Sequence, residues 1–249
     1  APLRQELPHC RERAGSTATM THNTFVPLHL LSNYSLLYGA NHIEELVAHA
    51  AAQGITAMAL TDRNNVYGLH LFLEACRKHR IKPIIGARLE HRGERLICLT
   101  RNYQGFSRLT ETISALHDQR NDHHALMELI SPLDSNTIVI ADRHPTLTRL
   151  LKETALRDNP PIIAAGLSAP HRALALDAVR HHLPLVALPE IVAIQRADYH
   201  LHRVLRAIDT NSAIHNIPPD ALAPADTLFP SQRALSERFG LYPESIEAT

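Results

Sequence analysis

With 249 residues, 45% of them apolar and 20% charged, the chain has the length and usage of one ordinary globular α/β domain with a large core. Lys+Arg and Asp+Glu both number 25, which excludes a chain-wide basic field for nucleic acid and leaves only a local basic groove open. The three cysteines, Cys10, Cys76 and Cys98, are widely spaced with no CxxC pair, which argues against a disulfide framework or a zinc–cysteine knuckle and suits a reducing cytoplasm.

In chain order, residues 1–24 carry charges throughout and no continuous apolar core, so they read as a flexible leader and not a signal peptide, with Met20 a candidate internal start. No apolar run approaches the roughly 20 residues of a membrane span, so no membrane partner is expected. Residues 25–31 read as a short apolar strand broken at Pro27. Asn41 with Glu44 forms a candidate capping box, Ile43, Leu46, Val47 and Ala50 make one apolar helix face, and Gly54 stands where a left-handed stop is expected. A buried strand over 55–61 and a helix over 69–79 follow, the helix ending in Arg77, Lys78, His79 and Arg80 at its negative pole. Residues 84–90 and 94–100 flank Arg92-Gly93 and are expected to pair as an antiparallel ribbon. Helices are expected over 103–116, 123–130, 173–182, 199–208 and through Leu147, Leu150 and Leu151, with strands at 138–141, 160–165 and 185–188. About seven strands alternating with helices imply parallel βα units, a layout that places chemistry at the C-terminal strand ends, where His29 and Asp62 stand. Most of the 18 histidines, including the pairs His123-His124 and His181-His182, fall in polar or helical runs and read as solvated.

The run LHLLSNYSLLYGANHIEELV (28–47) and the run TDRNNVYGLHLFLEACRKHRIKPIIGA (61–87) carry a resemblance. They are similar to the polymerase-and-histidinol-phosphatase (PHP) domain at the N-terminus of the bacterial DNA polymerase III alpha subunit, a C-family polymerase. The first run looks most like the error-prone homologue. The resemblance implies a distorted (β/α)7 barrel over 25–228. Phe229-Pro230-Ser231-Gln232 and the closing Phe239 to Thr249 are similar to the segment that precedes the polymerase palm, so 229–249 is expected to be a connecting tail. No Asp-x-Asp pair occurs, so the carboxylates that would hold two magnesium ions in a polymerase are not expected in this stretch.

PHP phosphoesterases hold divalent metals at the barrel mouth with His, Asp, Glu and sometimes Cys, and the motifs carry over unevenly. Of the first His-x-His, His29 is kept and Leu31 takes the second place. Of Thr-Asp-His-Gly-Asn, Thr61 and Asp62 remain while the histidine is Arg63. The Gly-x-Glu place reads Gly86-Ala87-Arg88, and the Gly-Cys place reads Asp142-Arg143 with His144 beside it. No histidine falls at 167–170, although His171 follows, and the late Asn-Asp-x-His reads Pro189-Glu190-Ile191-Val192. His202 matches a family histidine whose ligand role is not secure. The residual ligand positions are therefore His29, Asp62, Glu190 and His202, with Arg63, Arg88 and Arg143 in ligand places. A guanidinium has no lone pair for a metal and repels a divalent cation by several kcal/mol even at an effective dielectric of about 20.

The expectation is a degenerate metal site with no cofactor, in which Arg63, Arg88 and Arg143 replace the metal charge and hold Asp62 and Glu190 as buried ion pairs. Such a domain would serve as a non-catalytic structural and protein-binding module in DNA replication or repair synthesis, partnered by polymerase domains of its parent chain or by replication and repair proteins. One alternative is an active metal-dependent phosphoesterase or 3′–5′ exonuclease in which His29, Asp62 and Glu190, with His144 and His171, rebuild a site for Zn, Mn or Mg. Another is a barrel whose arginines bind phosphate or contact the DNA backbone.

Overall fold

The structure is a computed structural model that describes residues 25–118, 120 and 122–249; the expected leader at 1–24, with Cys10, lies outside the described residues. Six strands form one sheet whose spatial order is the chain order: β1 (Ala57–Leu60), β2 (Lys82–His91), β3 (Glu94–Thr100), β4 (Thr137–Ala141), β5 (Ile162–Leu167) and β6 (Leu185–Ala187). β1–β2, β4–β5 and β5–β6 pair parallel, and β3 runs antiparallel to both β2 and β4. The expected alternation of strand and helix therefore fails at β3. Arg92 (φ 49°) and Gly93 (φ 80°) make a two-residue reversal with both φ values positive, which leaves no room for a crossover helix.

The extended stretch 25–31 is bonded toward both edges of this sheet. On one side Ala59 N–H donates to Pro27 O (2.7 Å) and Thr61 N–H to Leu30 O (2.9 Å). On the other, Leu31 N–H donates to Ile191 O (2.9 Å) and Ile191 N–H to His29 O (3.0 Å). The sheet is curled, and its concave side is filled by Leu28, Ala59, Ile97, Leu99, Ile140, Ala164, Val186 and Leu188.

The helix α1 (Ile43–Ala52) precedes β1, and α2 (Leu69–His79), α3 (Tyr103–His117), α4 (Leu126–Leu129), α5 (His144–Thr154), α6 (Arg172–Arg180) and α7 (Arg196–Asp209) lie between or after the later strands. In α1 the cap falls one residue later than the capping pattern suggests. His42 is the N-cap and its N–H donates to Glu45 Oε2 (3.1 Å), because Asn41 is drawn away to accept the Ile194 N–H on its Oδ1 (2.9 Å). Gly54 takes the left-handed conformation expected of it (φ 75°). The closing segment forms α8 (Gln232–Phe239) and α9 (Glu244–Glu247), and Leu235, Phe239 and Ile246 are buried in the same cluster as Leu89, Leu96 and Leu147. Thr249 Oγ1 accepts the Val26 N–H (3.0 Å), so the end of the described chain is stapled beside its start.

Candidate functional site

Side chains alternate across a strand, so residues two apart on β2 share a face. Along the β2–β3 ribbon the concave face changes from apolar to charged: Ile97 and Leu99 belong to the inner core, while Arg88 pairs in register with Ile97, and Glu90 with Arg95. Arg88, Glu90 and Arg95 therefore emerge together at one rim. They line a cleft of ≈ 430 Å³ with Tyr38, Arg63, Arg143, Glu190 and Arg206.

Glu190, which follows β6, is the hub. Its Oε1 accepts from Arg88 Nη1 (2.7 Å) and from the Tyr38 hydroxyl (2.8 Å), and its Oε2 lies 3.6 Å from Arg95 Nη1. Burial works against this carboxylate, but Arg88 foremost, then His29 and Arg95, hold its pKa down to about 2. Arg95 also pairs with Asp142. Glu90 bridges Arg63 Nε (2.9 Å) and Arg88 Nη2 (3.2 Å); against the effect of burial, Arg88 and Arg63 hold its carboxyl below the usual range. Burial opposes the Arg88 charge as well, and Glu190, Tyr38 and Glu90 more than compensate, so it stays protonated. Arg63, Arg88 and Arg206 stand 4.8, 5.2 and 5.2 Å from the Tyr38 ring centroid, three guanidiniums about one phenol. Burial and the nearby Glu190 push the Tyr38 hydroxyl up to about 12, so it acts as a hydrogen-bond donor.

His29 is fully buried in this group, and neither ring nitrogen has a hydrogen-bond partner among the described residues. Burial, reinforced by Arg88 and Arg95 against the opposing Glu190 and Asp142, lowers its pKa to about 4, so the ring is neutral at ordinary pH.

Asp62 differs from what residue types at strand ends suggest. No guanidinium holds it. Its carboxylate accepts from Ser32 N–H (2.7 Å), Ser32 Oγ (2.8 Å) and Ser35 Oγ (2.6 Å), and among the described residues no ion pair reaches it. Burial outweighs these bonds and raises its pKa. The loop that delivers both serines and Tyr38 closes tightly at Gly39, where a Cβ would lie 1.9 Å from Ser32 O, so any side chain there would force the loop open.

The remaining expected residues separate. Arg63 neutralises Glu90 in place of Asp62. Arg143, the N-cap of α5, lines the cleft but donates to Gly93 O (3.2 Å), and no carboxylate pairs with it among the described residues. His202 is buried with both nitrogens occupied: Nδ1 donates to Tyr38 O (2.7 Å) and Nε2 accepts the Ala223 N–H (3.1 Å), so it ties two loops together. His144 pairs with Asp177 (2.5 Å), and His171 caps α6 by accepting the Leu174 N–H (3.3 Å). Among the described residues no three His, Cys, Asp or Glu side chains converge to hold a metal ion. Sequence reasoning missed Glu90, Arg95, Tyr38, Ser32 and Ser35. The two-residue turn at Arg92-Gly93 carried the signal for Glu90 and Arg95, since it sets them directly opposite one another.

Residues 27–149 match the family model described as PHP domain. Over 243 residues the chain is 28% identical to the error-prone DNA polymerase of Pseudomonas paraeruginosa, covering 91% of this chain and 23% of that protein. Over 115 residues it is 35% identical to the DNA polymerase III subunit alpha of Neisseria meningitidis, covering 43% of this chain and 10% of that one. A solved amidohydrolase from Chromobacterium violaceum, with bound sulfate and no metal, superposes with a TM-score of 0.46 at 13% identity, covering 67% of this chain and 87% of its own. The chain is thus similar to a PHP domain over residues 27–149 and to error-prone DNA polymerase and DNA polymerase III subunit alpha, and it spans under a quarter of the length of these two relatives. Among the described residues no helix is long and apolar enough to cross a membrane.

Proposed function

We propose that this is a non-catalytic PHP domain of a DNA polymerase III alpha-like protein, serving as a structural and protein-binding module in replication or repair synthesis. One observation carries the reading: both oxygens of Glu190 face guanidiniums, Arg88 at 2.7 Å and Arg95 at 3.6 Å. The donor set at the rim does not fit a divalent cation. Glu190 is neutralised, Asp62 is taken by two serines, and His29 stands among positive charges that a metal would have to displace. The curled sheet, with 25–31 bonded toward both edges, supports the finer reading of a distorted seven-unit barrel.

Purified protein is expected to contain substoichiometric Zn, Mn and Fe by mass spectrometry. It is expected to turn over neither p-nitrophenyl phosphate nor single-stranded DNA with Mg, Mn or Zn added. Stoichiometric metal with metal-stimulated turnover would replace this reading with the phosphoesterase or exonuclease one. Phosphate or DNA-backbone binding is less well supported. Of the arginines lining the cleft, Arg143 alone lacks an acidic partner among the described residues, so little positive charge is left over. DNA binding that falls steeply with salt would revive it.

A further inference from the structure

A helix on the outside of a soluble fold normally turns its apolar stripe inward. In α7 the orientation is reversed. Its buried residues are His202 and Arg206, which with Tyr199 hold the helix down through bonds to backbone: His202 to Tyr38 O and Ala223 N–H, Arg206 Nε to Ala221 O (2.7 Å), and Tyr199 Oη to Ala223 O (2.7 Å). At 100° per residue, Ala197, Leu201, Val204 and Ile208 fall on the opposite face. They are spaced four, three and four apart, the repeat of a helix–helix seam. Leu201, Val204 and Ile208 are 46%, 42% and 61% exposed, and the seam runs into a notch of ≈ 410 Å³ closed by Ile214. Along one flank lie Arg196, His200 and Arg203, again at i, i+4 and i+7, and neither arginine has an acidic partner among the described residues. The nearby acids are occupied: Asp198 accepts the Gln195 N–H and Asp209 pairs with Arg206.

We propose that this outer face of α7 is a docking seam for an amphipathic helix of a partner polypeptide, apolar at the same spacing and acidic along one flank. The inference names a surface for the protein-binding role proposed above and rests on that reading. A second copy of this chain fits poorly in an antiparallel two-fold, which sets each basic row against its own duplicate. An anionic membrane also fits poorly, because the stripe is four side chains wide with no aromatic residue on it.

The test uses the 249-residue protein and two fluorescein-labelled synthetic helical peptides with the same leucine seam, one flanked by glutamates and one by lysines. By fluorescence anisotropy the glutamate peptide is expected to bind about 10-fold tighter than the lysine peptide, a preference that shrinks as salt is added. Ile208→Glu is expected to abolish binding with circular dichroism and melting unchanged, since Ile208 is exposed. Arg196→Glu is expected to erase the preference without removing the seam. Equal affinity for both peptides, no binding, or binding indifferent to Ile208→Glu overturns the proposal. So does a dimer in sedimentation that Ile208→Glu dissolves, which assigns the face to a second copy. Co-sedimentation with phosphatidylserine vesicles at the expense of peptide binding overturns it as well. None of these readouts involves metal or turnover, so the docking seam can fail while the non-catalytic reading stands, and the reverse.

Discussion

Glu190 and Asp62 are both carboxylates buried at the C-terminal edge of the same sheet, and they are held in opposite ways. Glu190 sits among guanidiniums and is pulled down to about 2, whereas Asp62 sits among serine hydroxyls and is pushed above its usual range. Fixed opposite charge offsets desolvation; neutral donors at similar distances do not offset it fully. One carboxylate is a permanent anion that organises its neighbours. The other is a hydrogen-bond acceptor that fixes a loop.

The largest expected effect comes from removing a charge on the Glu190 side. Arg88→Met strands a buried carboxylate and is expected to cost about 3–5 kcal/mol in urea denaturation, while Arg88→Met with Glu190→Met together recover much of that. A loss no larger than that of an exposed arginine would show that the pair does not act as a buried one.

Acid titration comes next. Glu190 has a folded pKa of about 2 against an ordinary 4.5, so its contribution is present above pH 4.5 and disappears as pH falls toward 2. His29, at about 4 against 6.5, likewise favours the folded state above pH 6.5, an advantage lost as pH falls toward 4. Each is worth up to about 3 kcal/mol. In melting curves, His29→Gln is expected to flatten the slope between pH 6.5 and 4, and Glu190→Gln the slope below 4.5. Asp62 has the opposite sign. Its raised pKa means the folded state binds the extra proton, so stability falls as pH rises through that pKa, and Asp62→Asn should remove that decline.

Ser35→Ala deprives Asp62 of one donor and is expected to cost about 1–3 kcal/mol, with fluorescence of a probe placed at exposed Leu36 reporting loosening of the loop. The smallest effect is at Arg143. Among the described residues its guanidinium bonds only to the Gly93 carbonyl, and Arg143→Ala should stay within about 0.5 kcal/mol of the parent.

Much of the fold was legible because it is local. Periodicity marked α1, α2 and α3, and the positive φ values at Gly54, Arg92 and Gly93 fall where glycine and turn chemistry place them. The β2–β3 ribbon needed only a two-residue turn between two alternating runs. The site was legible as positions and not as partners. His29, Asp62 and Glu190 stand at strand ends, yet nothing local says that Tyr38, 152 residues away from Glu190, donates to it, or that Arg63 faces Glu90 and not Asp62. The capping residue of α1 moved by one for the same reason, since Asn41 was taken by Ile194 across the fold.

Short-range pattern thus determined the elements, their order and the charged ends of the strands, because backbone geometry and side-chain period act over a few residues. The curl of the sheet decided which charges meet, which carboxylate is neutralised by cations and which is only hydrogen-bonded by hydroxyls, and which face of α7 is left to solvent. Those outcomes depend on distances between residues far apart in sequence, and electrostatic energies follow those distances.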